Sequence, residues 1–174
     1  LIQMYDTDLV SATDGTTGRV ETFDQLKQNV IDARGEDWVD MFRYSLNTID
    51  ARDVTSNLPD VDFYSGRQLD ARDAGPWEAN EYPPIVIVAN YATVDAGLER
   101  GDLLTYEFET ADGLETITFE IVGMVDQMQG QIGIQMSSLN YAPAAAFPPS
   151  TDAGMTVVVD VDEDKQVNVE LIPG

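Results

Sequence analysis

The sequence predicts an α+β domain, a mixed or antiparallel sheet carrying short helices. Three observations predict it. Pro84-Ile-Val-Ile-Val-Ala89 is a continuous apolar run of strand length, the pattern of a strand covered on both faces. Residues 103–110 and 114–125 flank Ala111-Asp-Gly113, a hairpin signal between two long segments. Phe23, Leu26, Val30 and Ile31 share one face at helical spacing behind Thr22, a residue type that caps helix N-termini.

The elements follow in chain order. Residues 1–10 form a first strand, with Asp6 and Asp8 near its end, and residues 11–18, rich in Gly, Thr and Asp, form a loop. Thr22 opens a helix that Gly35 closes. Over 38–49 two periods compete. Trp38, Val39, Met41, Phe42, Ser45, Leu46 and Ile49 fit a helix, while Phe42, Tyr44, Leu46 and Thr48 alternate as in a strand. The reading is a helix that passes into a strand over 47–54. Leu58-Pro-Asp60 is a turn, and 61–65 a short strand ending at Gly66. Residues 71–82, with Gly75, Pro76 and Trp77, form a polar loop or lid.

After the 84–89 strand, Asn90 caps a short helix that ends at Gly97. In the second hairpin strand, Ile117, Phe119, Ile121 and Val125 mark the core face, and Gly123 marks a bulge. Residues 127–135, rich in Gln and Gly, form a flexible tip. The Ala-rich stretch 140–147 predicts a short helix before Pro148-Pro149. Residues 155–161 predict a further strand, and Asp162 the start of a final helix. Ile85, Ile87, Phe119, Ile121 and Val158 are expected to be buried together. Neither an internal repeat nor a long linker is visible. Residues 1–174 therefore read as a single domain, divisible into a core at 55–174 and an N-terminal α/β part at 1–54.

A chain of 174 residues buries roughly 70% of its unfolded surface and needs no disulfide or metal to hold it together. Its 32 acidic and 9 basic residues give a net charge of −23, which repels phosphate backbones and anionic membranes and excludes nucleic acid as a partner. Two readings of the acidity stay open: solubility or salty surroundings, and a face for cations or a basic partner. The scatter of the acids along the chain favours the first. The absence of Cys and His excludes zinc fingers, thiol nucleophiles, Ser-His-Asp triads and imidazole metal sites. No apolar run approaches the length of a membrane span. Leu1 begins no signal peptide, and the pattern runs to Gly174 without a stop, so a segment of a longer protein is expected.

Candidate sites are few. Asp160-x-Asp162-x-Asp164 has the spacing of the first calcium ligands of an EF-hand, but Lys165 stands where the loop needs Gly and Leu171 where it needs Glu. The ordinary reading is an acid-rich strand end entering a helix. Asp70, Asp73, Glu78 and Glu81, near Trp77 and Tyr82, are a weak carboxylate grouping for glycoside hydrolysis. Gly97-Leu-x-x-Gly-Asp102 supplies a helix end and a tight turn. The sequence points to no catalytic residue, no cofactor and no metal site.

Taken in order, Gly66-Arg67-x-Leu69 with Asp73, the strand 84–89, Gly97-Leu-x-x-Gly-Asp102, and Phe119-Glu-Ile-Val-Gly-Met-Val125 resemble the extracytoplasmic domain of ABC transporter permeases of the MacB and FtsX type. Residues 157–162 sit where that family returns to its core. The resemblance covers residues 55–174. It implies a non-catalytic domain on the extracytoplasmic face of the cell membrane, part of a membrane-embedded, dimeric permease that pairs with a cytoplasmic ATPase. It also implies a protein partner outside the membrane, an adaptor, a chaperone or a cell-wall hydrolase, to which ATP-driven motion is transmitted. The competing class is a free-standing secreted acidic module that binds carbohydrate or calcium.

Two loops are the expected contact surface. The loop 71–82 presents Trp77 and Tyr82, residue types enriched at interaction hot spots. The loop 127–135 presents Met128, Gln129 and Gln131, with Met124 and Met136 beside it, and Met adapts to varied apolar surfaces. The plainer alternative is that Trp77 packs back on its own sheet and 127–135 is only a hairpin tip.

Overall fold

The computed structural model describes residues 2–5, 7–41, 46–49, 62–126, 140–148, 153–161 and 167–173, with side chains for 8–39, 62–126 and 140–148. The chain begins with strands β1 (Ile2–Tyr5), β2 (Thr7–Thr13) and β3 (Val20–Thr22), then helix α1 (Phe23–Arg34) and a 3₁₀ turn at Glu36–Met41. Strands β4 (Leu46–Ile49), β5 (Phe63–Gly66) and β6 (Pro84–Ala89) lead to helix α2 (Tyr91–Asp95). The long hairpin β7 (Leu103–Thr110) and β8 (Gly113–Asp126) follows, then β9 (Asn140–Pro143), β10 (Ala153–Val161) and β11 (Val167–Pro173). The sheet order is β11-β10-β1-β4-β9-β6-β8-β7-β2-β3, with β5 paired to β8 off this path. The part with described side chains, β2, β3 and β5 to β9 with both helices, is a seven-strand mixed sheet of α+β class.

Local chemistry explains the elements read correctly from sequence. Thr22 caps α1 in a capping box. Its hydroxyl accepts from the Gln25 amide at 3.3 Å, and the Gln25 side chain accepts from the Thr22 amide at 2.7 Å. Gly35 closes the helix at φ 100°. Asn90 caps α2 by accepting from the Thr93 amide at 2.8 Å. The β7–β8 turn is Ala111-Asp112, with Thr110 opposite Gly113.

β6 is buried along its whole length because it lies between two cores. On one face Ile85, Ile87 and Ala89 join Leu104, Tyr106, Phe108, Phe119, Ile121 and Phe147 under Leu26 and Val30 of α1 and Ala92 of α2. On the other, Val86 joins Leu69, Val125 and Tyr141. Of the five residues expected to share a core, Ile85, Ile87, Phe119 and Ile121 do so. The side chain of Val158 lies outside the described residues.

The bulge at Gly123 is present, and it corrects one assignment. Ile85 pairs with Ile121, but Val86 pairs with Gly123, so Val122 is an extra residue. One inserted residue flips every side chain after it. Met124, expected beside a partner loop, is therefore buried in the main core, and Val125, expected there, lies in the second.

Four further expectations are corrected. The single strand expected over 1–10 is two strands: β1 pairs with β10 and β4, while β2 lies between β3 and β7 and continues through Thr13, because Ser11, Ala12 and Thr13 are paired on both edges. The helix expected from residue 38 is a 3₁₀ turn ending at Met41, while the strand expected from 47 is present as β4 over Leu46–Ile49. Residues 140–147 are not a helix but β9 and a 3₁₀ turn at Ala144–Ala146. Pro143 biases Ala142 away from helical backbone. β9 is held in parallel by β4 and touches β6 at Val86 and Tyr141. The final helix is instead β11, antiparallel to β10, which suits the alternation of Val167, Val169 and Leu171. The expected strand over 50–54, the turn at 58–60 and the tip at 127–135 lie outside the described residues.

Candidate functional site

The motifs that carry the resemblance meet around β8. Gly66 ends β5 at φ 77°, and a Cβ there would stand 2.1 Å from the Val122 carbonyl oxygen. A Cβ on Gly123 would stand 2.1 Å from the Arg67 carbonyl oxygen. The two glycines let the chain leave β5 in backbone contact with the bulge, and the Arg67 amide donates to the Val122 carbonyl at 3.0 Å. On the far side, the Gly101 amide donates to the Ile121 carbonyl at 2.8 Å.

From that crossing, Arg67 forks onto Asp73. Nη1 donates to Oδ2 at 2.7 Å and Nη2 to Oδ1 at 3.0 Å. Asp73 is buried, and its Oδ2 also accepts from the Asp70 amide at 2.9 Å, which holds the 3₁₀ turn Ala71–Asp73. The hydrogen bond to Asp73 raises the Arg67 pKa further, so the guanidinium stays charged. Asp70 accepts from the Arg72 side chain at 2.6 Å and the Arg72 amide at 2.8 Å. The side-chain bond, then the amide bond, lowers its carboxyl pKa to about 2. Both carboxylates are thus committed to arginines, not free as an acid–base pair. Next to them Gln68 Oε1 accepts from the Tyr141 hydroxyl at 2.5 Å, and Leu69 fills the second core. Burial pushes the Tyr141 phenol above its ordinary range.

The loop then turns back on itself. Trp77 is half-buried against the main core, and its ring lies on Gly75, where a Cβ would meet it at 2.8 Å. Glu78 and Glu81 close a turn, the Glu81 amide donating to the Glu78 carbonyl and the Glu78 amide to the Glu81 carboxylate, each at 3.0 Å. What the loop offers solvent is an acidic tip, residues 78–82, with Tyr82 49% exposed. Of the predicted contact residues, Tyr82 is presented outward, while Trp77 serves mainly to fasten the loop. Met128, Gln129 and Gln131 lie outside the described residues.

A second polar region had no sequence signal beyond the Gly101-Asp102 turn. A cleft of roughly 210 Å³ opens between the β2–β3 turn, α1 and the end of α2, lined by Asp14, Arg19, Glu21, Asn29, Asp95 and Asp102 among others. Asp102 is buried and accepts from the Gly15 amide at 2.9 Å and the Glu99 amide at 2.9 Å. Asp14 is held below the ordinary carboxylate range by the Thr17 and Thr16 amides. Beside the cleft, Arg34 pairs with Asp95 and stacks 4.6 Å from the Tyr91 ring and 5.4 Å from the Trp38 ring, tying α1 to α2.

Among the described residues no group of His, Cys, Asp or Glu could hold a metal ion. Asp160 lies in β10, paired to β11, while 162–166 lie outside the described residues. No described helix is long and apolar enough to cross a membrane. No protein-family model matches this chain, and no curated protein matches it significantly.

Proposed function

We propose that this chain is the extracytoplasmic domain of an ABC transporter permease of the MacB and FtsX type, non-catalytic, which binds a partner protein and passes on ATP-driven motion. The observation that carries the reading is the interlock at β8. The Gly66-Arg67 turn, the Phe119–Val125 segment and the Gly101-Asp102 turn are far apart in sequence, yet backbone contacts and hydrogen bonds join them. Their order along the chain thus has a structural reason: they lock one crossing of the sheet. A rigid crossing suits a domain that transmits force. Tyr82 on the tip of the fastened loop, with Met128, Gln129 and Gln131, makes the contact with an adaptor, chaperone or cell-wall hydrolase. The net charge of −23 favours a basic protein partner over nucleic acid.

The test is purification of the full-length gene product from its own cells through an affinity tag. Co-purification of an ABC-type ATPase from the membrane fraction is the expected result. Recovery of the protein from the culture medium, free of membrane and ATPase, would overturn the reading.

A further inference from the structure

Among the residues with described side chains, the sheet is buried on both faces around β6 and the second half of β8. Across β2, β7 and residues 117–121 of β8 one face joins the main core, and the opposite face is exposed or half-buried; residues 113–116 of β8 are exposed on both faces. Cross-strand register defines the open face: Val20 is opposite Thr13, Thr13 opposite Leu103 and Leu103 opposite Glu120. One step along, Thr22, Ser11, Thr105 and Thr118 form the next row, and Asp8, Glu107 and Thr116 the row after. Every one of these residues with a core-facing neighbour alternates with it, as Thr105 does between Leu104 and Tyr106.

Two properties set this face apart from the rest of an acidic protein. First, its charges are unbalanced. Asp8, Glu107, Glu109 and Glu120 lie on it, and no Lys or Arg does, among the described residues. The described ion pairs, of Arg19, Lys27, Arg34, Arg67 and Arg72, all lie elsewhere. Asp8 stands directly opposite Glu107, a like-charge cross-strand pair that costs stability in the isolated sheet. Secondly, Val20 and Leu114, 58% and 66% exposed, are the two most exposed large apolar side chains described, and both lie on it. A sheet face that carries acidic groups without basic ones among the described residues, with an exposed aliphatic group at either end (Val20 beside the Glu120 row, Leu114 beside Glu109), is complementary to an extended segment that alternates basic and apolar side chains.

We propose that the open face of β3-β2-β7-β8 is a docking surface for a basic segment of a partner protein. Lys or Arg side chains meet the Asp8–Glu107 pair and Glu120, and apolar ones meet Val20 and Leu114. A second copy of the chain would set carboxylates against carboxylates, so self-association is not the expected use. The inference goes beyond the permease reading and does not need it: its test uses the chain alone.

The probe is a short peptide alternating Arg and Val, titrated into the purified protein at physiological salt while backbone amide resonances are followed. Shifts are expected to concentrate on β2, β3, β7 and the first half of β8. Glu107→Gln with Glu120→Gln should weaken binding about tenfold, while Asp24→Asn with Asp32→Asn on α1, the same change in charge, should weaken it less than about twofold. Thermal melts check that both double variants fold, and a Glu107→Gln single variant serves if the double does not. Shifts spread over the whole surface, equal loss in the two double variants, or concentration-dependent self-association through this face would each overturn the proposal.

Discussion

Gly123→Ala tests the crossing on which the functional reading rests. Gly123 has no positive φ, so alanine meets no conformational penalty there and the cost is steric. The new Cβ would stand 2.1 Å from the Arg67 carbonyl oxygen and 2.9 Å from the Phe63 ring, inside the 3.0 Å that real Cβ contacts essentially never undercut. The closest obstacle is backbone, which cannot swing aside as a side chain can. The turn at Arg67 must retreat, which strains or breaks the 3.0 Å hydrogen bond from its amide to Val122 and the register of Gly66 with Gly123. Overpacking of a filled site and loss of a buried hydrogen bond together cost roughly 2–5 kcal/mol. Urea melts measure the loss, and hydrogen exchange at the Arg67 amide should report local opening. Leu114→Ala, at a side chain 66% exposed, is the control and should stay within about 0.5 kcal/mol of the parent. A loss below about 1 kcal/mol for Gly123→Ala, with an unchanged m-value and a protected Arg67 amide, would show that the two strands do not cross in backbone contact.

Other perturbations separate packing, ion pairing and net charge. Phe119 is fully buried, with the Tyr106, Phe108 and Phe147 ring centroids 5.9, 6.4 and 6.1 Å away, so Phe119→Ala should cost roughly 3–5 kcal/mol; a loss under about 1 kcal/mol in urea would remove it from the core. Arg67→Ala leaves the buried Asp73 carboxylate without its fork and should cost roughly 1–3 kcal/mol, with little recovered by Arg67→Lys because an ammonium cannot fork; full recovery by lysine would refute the bidentate geometry. The Asp70 carboxyl has a pKa of about 2 in the folded chain against 3.8 ordinarily, so its contribution is present above the ordinary value and disappears as pH falls toward the folded one. Acid melts of Asp70→Asn should therefore show a shallower fall across that window than the parent, and parallel curves would count against the Arg72 pairing. Raising NaCl from about 0.1 M to about 1 M shortens the Debye length from about 10 Å to about 3 Å, which screens a net charge of −23 and should raise the melting temperature; a flat or falling temperature would mean that self-repulsion does not limit this fold.

What was legible in the sequence was what local chemistry decides. Thr22 and Asn90 cap helices with side chains within three residues of their targets. The apolar run of β6 has no polar face to show, and the turn before Gly113 needs only adjacent residues. What was not legible depends on distant partners. Residues 140–147 carry helical composition, but Asn140 Oδ1 accepts from the Val88 amide at 2.9 Å and Tyr141 reaches Gln68, neither visible from within the segment. Val167, Val169 and Leu171 alternate as a strand requires, but the acids at 160–164 before them carry the composition of a helix start, and only pairing with β10 decides between the two. In the candidate site, the glycines and Arg67 form a motif visible in the sequence, yet their packing role appears only when Gly66 is set against Gly123. Trp77 shows the same limit: an aromatic in a polar loop reads as exposed until its ring is found on Gly75 and the main core.

The distribution of charge follows the same logic. Along the chain the acids are scattered, and scatter speaks for general solubility. Register sorts them. Asp70, Asp73 and Asp95 are held by arginines and bind loops or helices together. Asp14 and Asp102 accept backbone amides and shape the β2–β3 turn and the entry to β7. Asp8, Glu107, Glu109 and Glu120 have neither role, and strand pairing collects them on one uncovered face. A like-charge pair across adjacent strands is a cost that a chain with other choices at either position would avoid if solubility alone were at stake, since a single acid there serves as well. The Asp8–Glu107 pair can be tested on that basis. Glu107→Thr should stabilise the isolated domain by a few tenths of a kcal/mol, while weakening capture of the Arg–Val peptide. A variant that is less stable than the parent and still binds the peptide fully would show that the pair has no bearing on the open face.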